Sequence, residues 1–231
     1  MSVEEILKKL ESLGTPENIA GMARYGIRTK RAFGVTSGSL GSLVREIKAS
    51  EPDRHGLALE LWETGYHEAR VIAYLIDDPK YVTSEQMESW VSDFDNWAIC
   101  DSTCGRLFSF TRLAYQKAYE WIERDEEFVK RAGIAMIAWL SVHDKKASDD
   151  VVAAFLPELE KAASDDRNFI RKAVSWALRT IGKRSRYLNK TAIETAERVS
   201  HQGSASARWI AADALRELRS EKVIQRLGIN K

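Results

Sequence analysis

The stretch Phe169-Ile170-Arg171-Lys172-Ala173-Val174-Ser175-Trp176-Ala177-Leu178-Arg179-Thr180-Ile181-Gly182-Lys183 decides the fold. It opens with an aromatic residue, places basic residues in its first turns and continues as an apolar run at helical spacing. The same pattern stands 41 positions earlier, in Phe128-Val129-Lys130-Arg131-Ala132, and again about 37 positions later, in Ser206-Ala207-Arg208-Trp209-Ile210-Ala211. Glu68-Ala69-Arg70-Val71-Ile72-Ala73 reads as an earlier, more diverged copy.

A period near 40 with two helices per unit is the pattern of HEAT-like repeats, in which each helical hairpin buries its apolar face only against its neighbours. The expectation is an all-α, curved superhelical stack of hairpins (an α-α solenoid), forming a single domain over residues 1–231. Curvature would turn one helix layer toward a concave surface, and Arg and Lys at equivalent positions would make that groove basic. The plainer alternative is that these cations are solvated helix residues on a protein scaffold. Away from the repeats, helical spacing recurs in Ile6, Leu7 and Leu10, in Leu40, Leu43, Val44 and Ile47, and in Leu57, Leu59, Leu61 and Trp62, while two-residue alternation is absent. Short turn-forming clusters such as Gly14-Thr15-Pro16, Ser50-Glu51-Pro52 and Asp77-Asp78-Pro79 divide the chain into about eleven or twelve helices. Pro157, which lacks a backbone N–H, should kink or restart the helix between Asp149 and Ala163.

Composition narrows the classes of function. Hydrophobic residues make up 44% and charged residues 30%, which is folded rather than disordered. The net charge of +1 gives no bulk argument for a nucleic-acid or membrane partner, so any basic surface must be local. No stretch approaches the ~20 apolar residues of a membrane span, and the acidic start Met1-Ser2-Val3-Glu4-Glu5 is unlike a signal peptide. Cys100 and Cys104 are too few for a disulfide framework and suit a reducing, cytoplasmic setting. His55, His67, His143 and His201 show no metal spacing and are expected at the surface. Neither metal nor cofactor is expected.

The chemistry concentrates in the segment 93–108. Asp95 or Asn96 is a good N-cap, and Trp97, Cys100, Asp101, Cys104, Leu107 and Phe108 follow at three- and four-residue steps. Asp101 thus lies on an apolar stripe, either as a buried carboxylate bonded to a neighbouring helix or as a catalytic group. Trp97 one turn earlier would supply an aromatic wall beside that carboxylate, a pairing suited to a cationic ligand or oxocarbenium-like transition state. Trp176 follows Lys172 by four and precedes Arg179 by three, interleaving an aromatic ring with cations; core packing is the alternative for either Trp.

These residues resemble the AlkD-like DNA alkylation repair proteins, which are HEAT-like-repeat DNA glycosylases. The likeness runs through Met22-Ala23-Arg24-Tyr25 and Phe33-Gly34-Val35, through Trp97-x-x-x-Asp101, through Lys130-Arg131-Ala132-Gly133-Ile134, and most specifically through Phe169–Arg179. The resemblance implies excision of cationic alkylated purines, such as 3-methyladenine and 7-methylguanine, by hydrolysis of the N-glycosidic bond in a shallow groove. It matches Asp101 to the catalytic carboxylate, Trp97 and Trp176 to aromatic residues packed against the sugar, Arg131 to a backbone clamp and Tyr25 to an opposite wall. Lys130, Arg171, Lys172, Arg179, Lys183 and Arg208 would meet phosphates. The partner would be double-stranded alkylated DNA, bound by a monomer. The competing reading is a non-catalytic HEAT-like scaffold that binds DNA or protein.

Overall fold

In the computed structural model, which describes residues 1–229, the described chain comprises fifteen α-helices and one short 3-10 turn at Phe108–Phe110. The helices are shorter and more numerous than the spacing alone suggests, because small turns split several apolar runs. The run containing Pro157 is one of them: it breaks into Asp149–Ala153 and Leu156–Ala162, with the proline in the first turn of the second helix, where its missing N–H costs nothing. None of the described helices is long and apolar enough to cross a membrane. The chain divides into two compact units, Met1–Leu113 and Ala114–Lys231.

The first unit holds α1 (Val3–Leu13), α2 (Pro16–Arg24), α3 (Ser37–Ser50), α4 (Arg54–Glu63), α5 (His67–Ile76), α6 (Ser84–Ser92) and α7 (Trp97–Arg106). Helix α5 is its centre: α4 pairs with it as a hairpin, and α3 and α7 pack on it. Trp62 of α4 stacks on Trp90 of α6 with ring centroids 4.0 Å apart, and Phe94 and Phe108 extend this buried aromatic cluster. Such rings bury a large apolar area each, so this cluster fixes the segment leading into α7. Helix α2 stands apart in fully burying no side chain.

The second unit holds α8 (Ala114–Ile122), α9 (Glu127–His143), α10 (Asp149–Ala153), α11 (Leu156–Ala162), α12 (Asn168–Gly182), α13 (Arg186–Ser200), α14 (Ala205–Leu218) and α15 (Glu221–Leu227). Its helices form two layers. One is α9, α12 and α14 side by side; behind them lie α8, the α10–α11 pair and α13. The three similar sequence segments are thus the three helices of one layer. Gly133 permits the close approach of α8 and α9, since a Cβ there would lie 2.4 Å from the backbone nitrogen of Ile122.

Candidate functional site

Helix α7 begins at Trp97 because three groups fix its start. Asn96, buried, accepts hydrogen bonds through Oδ1 from the N–H groups of Ala98 and Ile99 at 3.0 and 3.1 Å, which caps the helix. The preceding loop is held through Asp93: Trp62 Nε1 and Arg70 Nη2 donate to its carboxylate at 2.9 and 3.0 Å, and Arg70 Nη1 donates to its carbonyl. Of the two caps the sequence offers, Asn96 is the one used. Cys100 and Cys104 form no disulfide and are fully buried.

Trp97 and Asp101 lie four apart on one face of this helix, each half-buried. Asp101 is therefore at the margin of the apolar stripe with access to solvent rather than deep in the core. The indole Nε1 of Trp97 donates at 2.9 Å to the backbone carbonyl of Tyr25, 72 residues away in sequence. Tyr25 is the last-turn cap of α2 and its side chain is 77% exposed. Three expected site residues thus gather on the first unit.

The loop after α2 is anchored with unusual completeness. Glu68, at the start of α5 and 1% exposed, accepts from the N–H groups of Phe33, Gly34 and Val35 at 2.9, 2.7 and 3.2 Å. One buried carboxylate that accepts from three successive N–H groups holds that loop rigidly. Phe33 stacks on Tyr66 at 4.3 Å, and the Gly34 carbonyl accepts from Thr15 N and Asn18 Nδ2, which seats the beginning of α2. His67 departs from the surface position expected of it: it is buried beside Glu68, and its Nδ1 has no hydrogen-bond partner. Burial pushes its imidazole below the ordinary value; Arg70 pushes the same way, while Glu68 and Asp95 oppose. His55 is half-buried and bonded through Nδ1 to the buried Asp77 at 2.7 Å, again not a freely solvated residue.

The remaining expected residues belong to the second unit, where α9, α12 and α14 are joined by rungs between positions 34 to 41 apart. Trp176 meets Trp139 edge to face, centroids 5.7 Å apart, and Phe128 meets Phe169 at 5.3 Å. Arg131 is only 6% exposed; its Nη1 donates to the Phe169 carbonyl at 2.6 Å and its guanidinium lies over the Phe169 ring. It is built into the α9–α12 seam. Arg179 and Lys183 both bond Glu217 of α14 at 2.5 Å, Arg179 also lies 3.4 Å from Asp213, and Ser175 donates to Asp213 at 2.6 Å. Burial pushes the Glu217 carboxyl up, but the hydrogen bonds from Lys183 and Arg179 outweigh it and hold the group below its ordinary value. Lys130 is 3.9 Å from Asp165. Arg171 donates to Asn168 and covers the half-exposed Trp209 ring at 5.1 Å, Arg208 donates to the Gly203 carbonyl, and Lys172 is exposed. Several cations expected to line a basic groove are thus already matched by carboxylates. Trp139, Glu68 and His67 are site-shaping residues that sequence reading passed over; Trp139 stands 37 positions before Trp176 and was reachable through the repeat.

Comparison with known proteins agrees with this architecture. The family described as "DNA alkylation repair enzyme" matches residues 6–218. An uncharacterised protein of Listeria innocua serovar 6a is 23% identical over 201 residues, covering 86% of this chain and 87% of its own. A second, from Listeria monocytogenes serovar 1/2a, is 22% identical over the same span and shares. Among solved structures, the chain is similar to one described as a new family of proteins related to the HEAT-like repeat DNA glycosylases with affinity for branched DNA structures. The TM-score is 0.75 at 22% identity, with 100% of this chain and 98% of that one covered.

Proposed function

The chain belongs to the DNA alkylation repair enzyme family, and from that premise we propose that it is a DNA glycosylase that excises cationic alkylated purines from duplex DNA. The observation that supports this reading is the hydrogen bond from Trp97 to the Tyr25 carbonyl, which ties the helix that carries Trp97 and the half-buried Asp101 to the exposed Tyr25. An N3- or N7-alkylated purine already carries positive charge, so it leaves without strong protonation. What the protein must do is stabilise the sugar as positive charge develops there. An ionised Asp101 opposes that charge and orients a water for attack, as one carboxylate does in glycosidic cleavage. The aromatic face of Trp97 adds cation–π attraction of about 0.5–2 kcal/mol. Of the expected second-unit cations, Lys172 and Arg208 are the exposed ones, placed to meet phosphate.

A second reading is DNA binding without excision. It is favoured by the affinity for branched DNA of the similar solved protein and by the internal pairing of Arg179 and Lys183. Incubation with methylated duplex DNA and identification of released bases by mass separates the two. Release of 7-methylguanine by the wild type, lost in Asp101→Asn, supports the glycosylase; binding with no release supports the scaffold.

A further inference from the structure

Residues 18–45 carry five basic side chains, Arg24, Arg28, Lys30, Arg31 and Arg45, and no acidic one, although the chain has 34 acidic residues in 231. This is the longest departure from its near-neutral balance that lies beside the candidate site. Arg31 is committed, donating to the Thr64 carbonyl and lying over Tyr66. Arg24, Arg28 and Lys30 are exposed, and none has a carboxylate partner among the described residues.

The helix that introduces them has no place in the core. Helix α2 fully buries none of its side chains, so apolar burial, the usual reason for a helix to stay docked, contributes little here. It is held instead by backbone tethers. The Gly34 carbonyl binds its first turn, Glu68 fixes Gly34, and Trp97 binds its last carbonyl. Its end is a tight stop: Gly26 adopts φ 77°, Ile27 N donates to Met22 O at 3.1 Å and Gly26 N to Ala23 O at 3.0 Å. That stop turns the chain out immediately after Tyr25. A segment positioned this firmly with no fully buried side chain is positioned for what it presents, which is one exposed aromatic ring flanked by three unpaired cations.

We propose that Arg24, Arg28 and Lys30 form a phosphate-binding strap that holds the DNA backbone against the Tyr25–Trp97 surface, and that this strap supplies much of the salt-dependent affinity. The proposal rests on the nucleic-acid reading above. It relocates the electrostatic contact from Arg179 and Lys183, whose charges are spent on Glu217 and Asp213, to a segment whose charges are unspent. Each phosphate contact contributes about 0.9 to the slope of log affinity against log salt.

The test compares wild type, Arg24→Gln/Arg28→Gln/Lys30→Gln, and the charge-keeping Arg24→Lys/Arg28→Lys/Lys30→Arg. Binding to a labelled, undamaged duplex is followed by anisotropy across a salt series, with thermal melting as the fold control. The expected result is a slope lower by about 2–3 in the Gln variant, an unchanged melting temperature, and a wild-type slope in the charge-keeping variant. A Gln variant with the wild-type slope overturns the strap while leaving DNA binding intact, as does loss of slope in the charge-keeping variant. Absence of duplex binding by the wild type removes both the nucleic-acid reading and the strap.

Discussion

Asp101 is half-exposed on the Trp97 face of α7, a position from which its carboxylate can meet both ligand and water. Asp101→Asn is nearly isosteric and removes only charge, so base release in single-turnover assays should fall about a hundred- to a thousandfold, the usual loss for one preorganised transition-state stabiliser. Helicity and duplex affinity should stay near wild type. Activity equal to wild type eliminates the mechanism. Trp97→Phe should keep part of the rate and Trp97→Ala should not, and the Ala variant also frees the Tyr25 carbonyl. His67 gives a different kind of test. Its folded-state imidazole is pushed below the ordinary value by burial first. As pH drops below about 6.5 the unfolded chain therefore binds a proton that the folded chain refuses, and stability falls with pH. The melting temperature of the wild type should drop more steeply between neutral and mildly acid pH than that of His67→Gln; parallel curves would show that His67 titrates alike in both states.

At the scale of elements, the seams between helices carry the sensitivity. Gly133 lets α8 and α9 approach until any Cβ would strike backbone at Ile122 and Trp121. Gly133→Ala gains helix propensity but must push the two helices apart, and the packing loss should win, destabilising by about 1–3 kcal/mol in chemical denaturation. A stabilised variant would mean that the α8–α9 hairpin has slack. The α12–α14 seam is polar instead. Removing Glu217 leaves Arg179 and Lys183 without their shared acceptor, so Glu217→Gln should lower the melting temperature while making those cations available, raising duplex affinity at low salt rather than reducing it.

For the whole molecule, the proposed excision makes leaving-group charge the property to test. The candidate surface offers Asp101 and aromatic rings but no second carboxylate or His at a spacing on α7 that would protonate a purine. A duplex carrying 7-methylguanine should therefore be processed, while one carrying uncharged hypoxanthine or uracil should be processed far more slowly under single-turnover conditions. Equal or faster release of the neutral base would require a general acid and would overturn the mechanism.

The all-α class, the helical hairpins, the period near 40 and the break at Pro157 are legible in the chain itself. They depend on local periodicity, capping and backbone chemistry, which a sequence displays directly. The repeat even anticipates the rungs, since Phe128 meets Phe169 and Trp139 meets Trp176 at that period. The pairing of each cation was not legible. Arg131, Arg179 and Lys183 read as a basic stripe until α12 and α14 bring Asp213 and Glu217 alongside and the Phe169 carbonyl covers Arg131. Nor could the sequence connect Trp97 to Tyr25, or Glu68 to the 33–35 loop. Those links join residues 33 to 72 positions apart through hydrogen bonds, which leave no periodic trace and exist only once packing has fixed both partners in space.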